Sequence, residues 1–444
     1  MKYSIIILIT QLLLWGCCRS ERSILKSFYK ALDGDKWEHK ENWLSDKPLN
    51  EWYGITTDEE GKVVKIQLSD TMIGKVPANL KHLKKLQYLH LNCITGGISL
   101  EVNNYPSLKE LRLNGYINLL TVENCPELEK LSLISRCFDN FHVDGCSNLS
   151  SLELVEHNIS DTTKRELDLS PFPKLSELKI YYLALDQLHI NNCFNLKKIN
   201  IYNCQLEELD LSSCAANLEY LKVSGNDSLH ILDLSRCVTL DSIDVSGNSI
   251  TQLDISNCKK LRYLDCSDNK LSELELNNPL LCALYCYNNE ISKLNVGNFK
   301  ELKYLYCDGN NLSELDISEC KKLEQLTCGF NNLSELNVRQ NSKLDFIECG
   351  GNNLQSIDLS KNQELKDFRC EDSPLKKLDL SSCTKLERID IYGSQITAID
   401  ISHLDKLNYF KAYCSSLKTI WVSKNFKPMD MWFIEDDVVC KVKQ

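Results

Sequence analysis

Cysteine and tyrosine recur together at fixed places along this chain. Residues 283–289 read ALYCYNN and residues 304–310 read YLYCDGN. The same cysteine position returns as Cys266, Cys286, Cys307, Cys328, Cys349 and Cys370, at steps of 20 or 21 residues. A second column holds Cys125, Cys146, Cys193, Cys214, Cys237, Cys258, Cys320 and Cys383. Thiols at this density could form disulfides, ligate zinc as thiolates or act as nucleophiles. Tyrosines at this density could supply rigid contact area for a ligand.

Spacing argues against the thiol chemistry. Sister units place Leu, Ile or Val at the first cysteine position and Asn341, Asn362 or Phe299 at the second, so both columns exchange with core fillers. Matching side chains on neighbouring parallel strands point the same way, which keeps their Cβ atoms about 4.8 Å apart; a disulfide needs about 3.8 Å. Buried free thiols are therefore expected. No C-x-x-C pair occurs, and about 13 Å of extended chain separates Cys282 from Cys286, too far to close a tetrahedral metal site. Cys414 and Cys440 stand outside both columns and are the candidate disulfide, formed if the C-terminal end folds back.

Other chemistry is equally thin. The eight histidines, from His39 to His403, are scattered, with no H-E-x-x-H. Phosphate-cradling glycine loops and the G-x-S-x-G nucleophile elbow are absent. Asp33-Gly34-Asp35 is too short for a calcium loop and marks a turn. The column Asp210, Asp233, Asp254, Asp316, Asp358, Asp379 and Asp400 recurs with the repeat and reads as a solvated outer face, not as acid and base. No catalytic residue, metal or cofactor is expected, so the chain reads as a non-enzyme. Its net charge of −11, without a dense Lys/Arg run, argues against a nucleic-acid partner.

The elements that position these residues follow from the leucines. Segments starting at Leu261, Leu281, Leu302, Leu323 and Leu344 share the form L-x-x-L-x-C-x-x-N-x-L-x-x-L-x-[LIV]. Counting the positions equivalent to Cys266, from Leu68 to Ala412, gives 17 units of 20–26 residues over 62–422. One unit is stretched, from Leu149 to Leu175, by DTTKRELDLSPFP, which reads as a loop because Pro171 and Pro173 discourage regular structure. The asparagines from Asn226 to Asn352 have a structural task, since their amides can satisfy backbone groups in the turn beside each strand.

This pattern resembles the leucine-rich repeat. The resemblance implies a mainly β solenoid: a curved parallel sheet on the concave face, short extended or irregular segments on the convex face, and a small helical N-terminal cap. Alternation along each strand sends the leucine and cysteine inward and the residues beside them outward onto the concave face. The outward columns hold Tyr263, Tyr285, Tyr287, Tyr304, Tyr306 and Phe346 with Asp265, Asp308 and Glu348, and these are the candidate ligand-binding residues. A protein or a glycan is the expected ligand, and a monomer the expected state.

The chain ends complete the picture. Residues 1–16 carry one lysine and an apolar run too short to span a bilayer comfortably. Leu14-Trp15-Gly16-Cys17 resembles a bacterial lipoprotein signal, which implies cleavage before Cys17, lipidation of its sulfur and stable membrane anchoring. Residues 17–61 resemble the N-terminal cap of plant-type leucine-rich repeats, without that family's cysteines: Ile24, Leu25, Phe28 and Leu32 share a helical face that Gly34 can close, and Trp37, Trp43 and Trp52 cover the first repeat. Residues 423–444 leave the repeat and read as a C-terminal cap. Together these features resemble internalin-like surface lipoproteins, implying a lipid-anchored binding scaffold at the outer-membrane surface or in the periplasm. A structural envelope protein without a dedicated ligand is the alternative. A leucine-rich-repeat ubiquitin ligase would need a catalytic-cysteine domain, and 22 residues are too few for one.

Overall fold

The computed structural model describes residues 20–135, 141–156, 164–427 and 431–443. The signal segment 1–16 and the lipidation candidate Cys17 lie outside the described residues. Two compact units divide the chain, Met1–Cys204 and Gln205–Gln444.

The first unit opens with a helix, Glu21–Ala31, whose first turn is capped by the Ser20 side chain accepting the Ser23 N–H. Ile24, Leu25, Phe28 and Tyr29 form its buried face. The expected closing role of Gly34 is corrected: Asp33 takes the left-handed turn, with φ of 57°. Glycine is needed at 34 for room, because a Cβ there would fall 2.3 Å from Cδ2 of Tyr29. Trp43 stacks on Tyr29 at 5.5 Å and meets Trp37 edge-on at 5.3 Å. Aromatic packing thus seals this end of the core in place of a disulfide.

Parallel strands then follow turn by turn. Leu68, Leu91, Leu113, Leu133, Leu154, Ile180 and Ile201 are neighbours in one in-register column, the inward position that the repeat spacing selects. In the second unit the column Leu264, Leu284, Leu305, Leu326, Ile347, Phe368 and Ile389 runs likewise. These side chains are buried, and each turn contributes one layer to a continuous core.

The outer segments behave less uniformly. Ladder pairing occurs there in the first unit, as between Arg165–Asp168 and Leu185–His189, and near the C-terminus, between Ala398–Asp400 and Thr419–Val422. Part of the stretch read as a loop is therefore strand. Between these regions Ser356 and Lys377 form an isolated bridge. Here aspartate carries the turns: the Oδ1 atoms of Asp210, Asp233, Asp254, Asp316, Asp358 and Asp379 accept the N–H of the serine two residues on, at 2.8–3.0 Å. The column is more than a solvated face, because it supplies the acceptor that a neighbouring strand would otherwise provide.

The C-terminal segment continues both ladders rather than leaving them. Met431–Ile434 pairs with Tyr409–Ala412, and Val439–Val442 pairs with Thr419–Val422. Phe410 and Trp432 stack across the first of these pairings at 4.8 Å.

Candidate functional site

Both cysteine columns face inward. Cys266, Cys286, Cys307, Cys328, Cys349 and Cys370 are fully buried and free. Burial pushes the thiols of Cys266, Cys286, Cys307 and Cys328 far up, which leaves them protonated and unreactive. In the second column Cys125 and Cys320 are weak donors to the preceding turn, Cys125 Sγ reaching Val102 O at 3.4 Å and Cys320 Sγ reaching Val296 O at 3.3 Å. Asn341 makes the same bond more strongly, its Nδ2 donating to Ile317 O at 2.9 Å. Asn278, overlooked in the sequence, belongs to this column and donates to Ile255 O at 3.1 Å.

Cys414 and Cys440 do not pair. Cys414 is buried, 3.1 Å from Ser394 Oγ, and donates to Ile391 O at 3.0 Å. Cys440 is exposed on the outer ladder beside Ile420, and both thiols are free. Among the described residues no group of three or more His, Cys, Asp or Glu side chains is placed to hold a metal ion. Among them, too, no helix is long and apolar enough to cross a membrane.

The outward candidates all lie half-buried on one face of the second unit. Register places Tyr263, Ala283, Tyr304, Gln325 and Phe346 in one row and Asp265, Tyr285, Tyr306, Thr327 and Glu348 in the next. Three tyrosines form a run: Tyr263 meets Tyr285 at 5.4 Å, and Tyr285 stacks on Tyr306 at 4.8 Å with planes 20° apart. The Tyr306 hydroxyl is tied to Gln325 Oε1, and the Tyr304 hydroxyl lies 3.4 Å from Glu324 Oε2. Burial raises the phenols of Tyr285 and Tyr306 further, keeping them neutral donors.

The remaining candidates serve different ends. Phe346 is covered by the Arg369 guanidinium, 4.9 Å from its ring centre. Arg369 also lies 3.4 Å from Glu348 and 2.7 Å from Asp367. Asp308 accepts the Thr327 hydroxyl and the Gly329 N–H, the latter at 2.8 Å. Asp265 accepts the Ser267 N–H at 3.1 Å and its hydroxyl at 2.5 Å. Burial raises the carboxyls of Asp265, Asp308 and Glu348 above their ordinary range.

Four further residues border these candidates. Gln325 and Arg369 sit on outward strand positions and were legible there. Glu371 and Phe330 occupy turns. Phe330 is 59% exposed with φ of 51°, an unusual conformation for a bulky residue. Its ring packs over Gly351, where a Cβ would fall 2.7 Å from Phe330 Cδ1.

Solved structures share this architecture. The functional domain of InlJ from Listeria monocytogenes, which includes a cysteine ladder, is 26% identical, with a TM-score of 0.57 over 68% of this chain and 70% of that one. A leucine-rich-repeat protein of Leptospira interrogans is 17% identical, with a TM-score of 0.60 over 86% of this chain and 95% of its own. YopM from Yersinia enterocolitica is 20% identical, with a TM-score of 0.55 over 85% of each chain. No protein-family model matches the chain, and no curated protein matches its sequence. The fold is thus a leucine-rich-repeat solenoid of about 17 turns, mainly β, with one short α-helix among the described residues.

Proposed function

We propose that the chain is a non-catalytic scaffold that binds a protein ligand through the concave face of its second unit. The observation that carries this is the Tyr263–Tyr285–Tyr306 run, three half-buried rings held against one another across successive turns. Rings ordered in advance lose little entropy when a partner covers them, and tyrosine is enriched at the centres of such contacts. The buried thiols and the outer-segment aspartates that cap turns serve the fold, which leaves this face as the feature that folding does not account for.

The setting we infer is the cell envelope, through lipidation of Cys17, with the outer-membrane surface and the periplasm as the two locations. Protease shaving of intact cells separates them.

The binding reading is tested with residues 19–444 as bait, beside a variant with Tyr285, Tyr287, Tyr304 and Tyr306 changed to Ser. Loss of captured partners with unchanged far-UV circular dichroism supports it. A variant that captures the same proteins as the parent rejects it in favour of a structural envelope role. A glycan array read with both chains tests the other ligand class.

A further inference from the structure

Gly329 and Gly350 leave two neighbouring places on the concave face without side chains, a recess between Asp308 and Glu371 whose chemistry is one-sided. Its floor is made of Thr327, Gly329 and Gly350, all buried and small. Tyr306 stands at one side: Tyr285 covers one of its faces and Gln325 holds its hydroxyl, so the other face is turned toward the strand Gln325–Thr327. Carboxylates supply the remaining walls. Asp308 leans across to Thr327 and Gly329. Glu348 neighbours Thr327 in register. Glu371 closes the far side, its carboxyl carbon 2.7 Å from where a Gly350 Cβ would stand.

The charge there is only partly balanced: Glu371 feels Arg369 and Lys411 from one margin, with Asp390 acting against them. Lys222 pairs with Asp244 at one margin of the face, and Arg369 with Glu348 and Asp367 at the other. Between them, the outward strand positions from Ser242 to Glu348 hold no lysine or arginine. The partners of Asp308 are neutral donors, which satisfy lone pairs and leave the charge in place. Glu371 Oε2 is buried and has no hydrogen-bond partner. A buried carboxylate oxygen without a donor costs free energy that an incoming cation would recover.

We propose that this recess receives one basic side chain, a lysine or arginine carried on an extended segment of the protein ligand. The ammonium or guanidinium would lie against the face of Tyr306 that Tyr285 does not cover and take Asp308 and Glu371 as counter-ions, combining a cation–π contact with charge-assisted hydrogen bonds. This rests on the concave-face reading above and deepens it by naming the chemistry of the anchor.

A display library of random nonapeptides, selected on residues 19–444, supplies the test. Selected peptides should be enriched in lysine or arginine. Their affinity should fall about tenfold or more in Glu371→Gln, and separately in Asp308→Asn, and be unchanged when Glu273 and Glu335 on the opposite face become Gln. Replacing the basic residue of a selected peptide by acetyl-lysine should cause the same loss. Basic peptides whose binding ignores Asp308 and Glu371 would reflect bulk attraction to an acidic chain and overturn the proposal. Peptides without basic residues that still depend on the four tyrosines would overturn it while leaving the concave-face reading intact. A selection that yields no tyrosine-dependent binder overturns both.

Discussion

Asn331 and Cys307 lie in successive turns and are joined by a buried hydrogen bond, Nδ2 to carbonyl oxygen, of 3.0 Å. The same amide donates to Cys328 O at 3.1 Å, and its Oδ1 accepts the Leu312 N–H at 3.0 Å. With a further bond from Nδ2 to Gly329 O at 3.1 Å, one side chain ties four backbone groups of two turns together. Asn331→Ala strands those groups away from water, where each unmet partner costs about 1–3 kcal/mol. We expect a loss of about 3 kcal/mol in urea unfolding and faster hydrogen exchange at the Leu312 amide. A loss under about 1 kcal/mol would mean that water replaces the amide.

The thiols predict a labelling pattern. Of the described cysteines, Cys440 is exposed, Cys282 is half-buried and all others are buried. In the native chain a thiol reagent should modify Cys440 fast and Cys282 slowly, with the two ladders reacting only after denaturation. Rapid native labelling of Cys286 or Cys307, mapped by peptide mass, would contradict inward packing.

Much of this was legible because the solenoid repeats one rule. A leucine or cysteine at a fixed place in each unit must lie in one column, and alternation along a strand then fixes which neighbours face out. Contacts between turns were not legible, because they depend on rotamers of residues 20 or so positions apart. Nothing in the spacing tells that Tyr285 stacks on Tyr306 or that Arg369 covers Phe346. The aspartates illustrate the same limit. Asp316 and Asp308 are the same residue type on one repeat, yet one caps an exposed turn and the other lines a recess.

Those two aspartate environments have opposite pH signatures. The serine two residues on, through its hydroxyl and N–H, holds Asp210, Asp233, Asp254, Asp316, Asp358 and Asp379 below the ordinary carboxylate range. Their stabilisation is complete above the unfolded pKa near 4 and is lost as pH falls through the lower folded values. Burial raises Asp265, Asp308, Glu348 and Glu371, which therefore oppose folding above their folded pKa and cease to do so below about pH 4. Unfolding by urea should show stability level or rising from pH 7 to about 5, then falling steeply below about pH 4. Glu371→Gln should flatten the upper limb and leave the acid collapse unchanged; a variant that shifts the collapse instead would refute the division.

In the cap, Gly34→Ala tests packing without involving backbone strain. A Cβ at 34 would fall 2.3–2.5 Å from three carbons of the Tyr29 ring, which lies against Trp37 and Trp43. Displacing that ring should cost about 1–3 kcal/mol and weaken the near-ultraviolet circular dichroism of the aromatic cluster. A variant with the parent's spectrum and stability would show that the cluster yields without cost.

Phe330 sets stability against binding. The residue just before the turn asparagine is left-handed in successive units, with φ of 52° at Asp268, 51° at Asn288, 61° at Gly309 and 62° at Gly351, all types suited to it. At 330 the same conformation falls on an exposed phenylalanine beside the Gly329 floor of the recess. Relieving a left-handed bulky residue recovers about 1 kcal/mol. Phe330→Asn, borrowing the residue found at 288, should therefore raise stability by about that much in urea unfolding. If the ring is kept exposed at this cost because a ligand covers it, the same variant should bind recess-dependent peptides several-fold more weakly. Higher stability with unaltered affinity would remove Phe330 from the site, and unaltered stability would show that its packing over Gly351 offsets the strain.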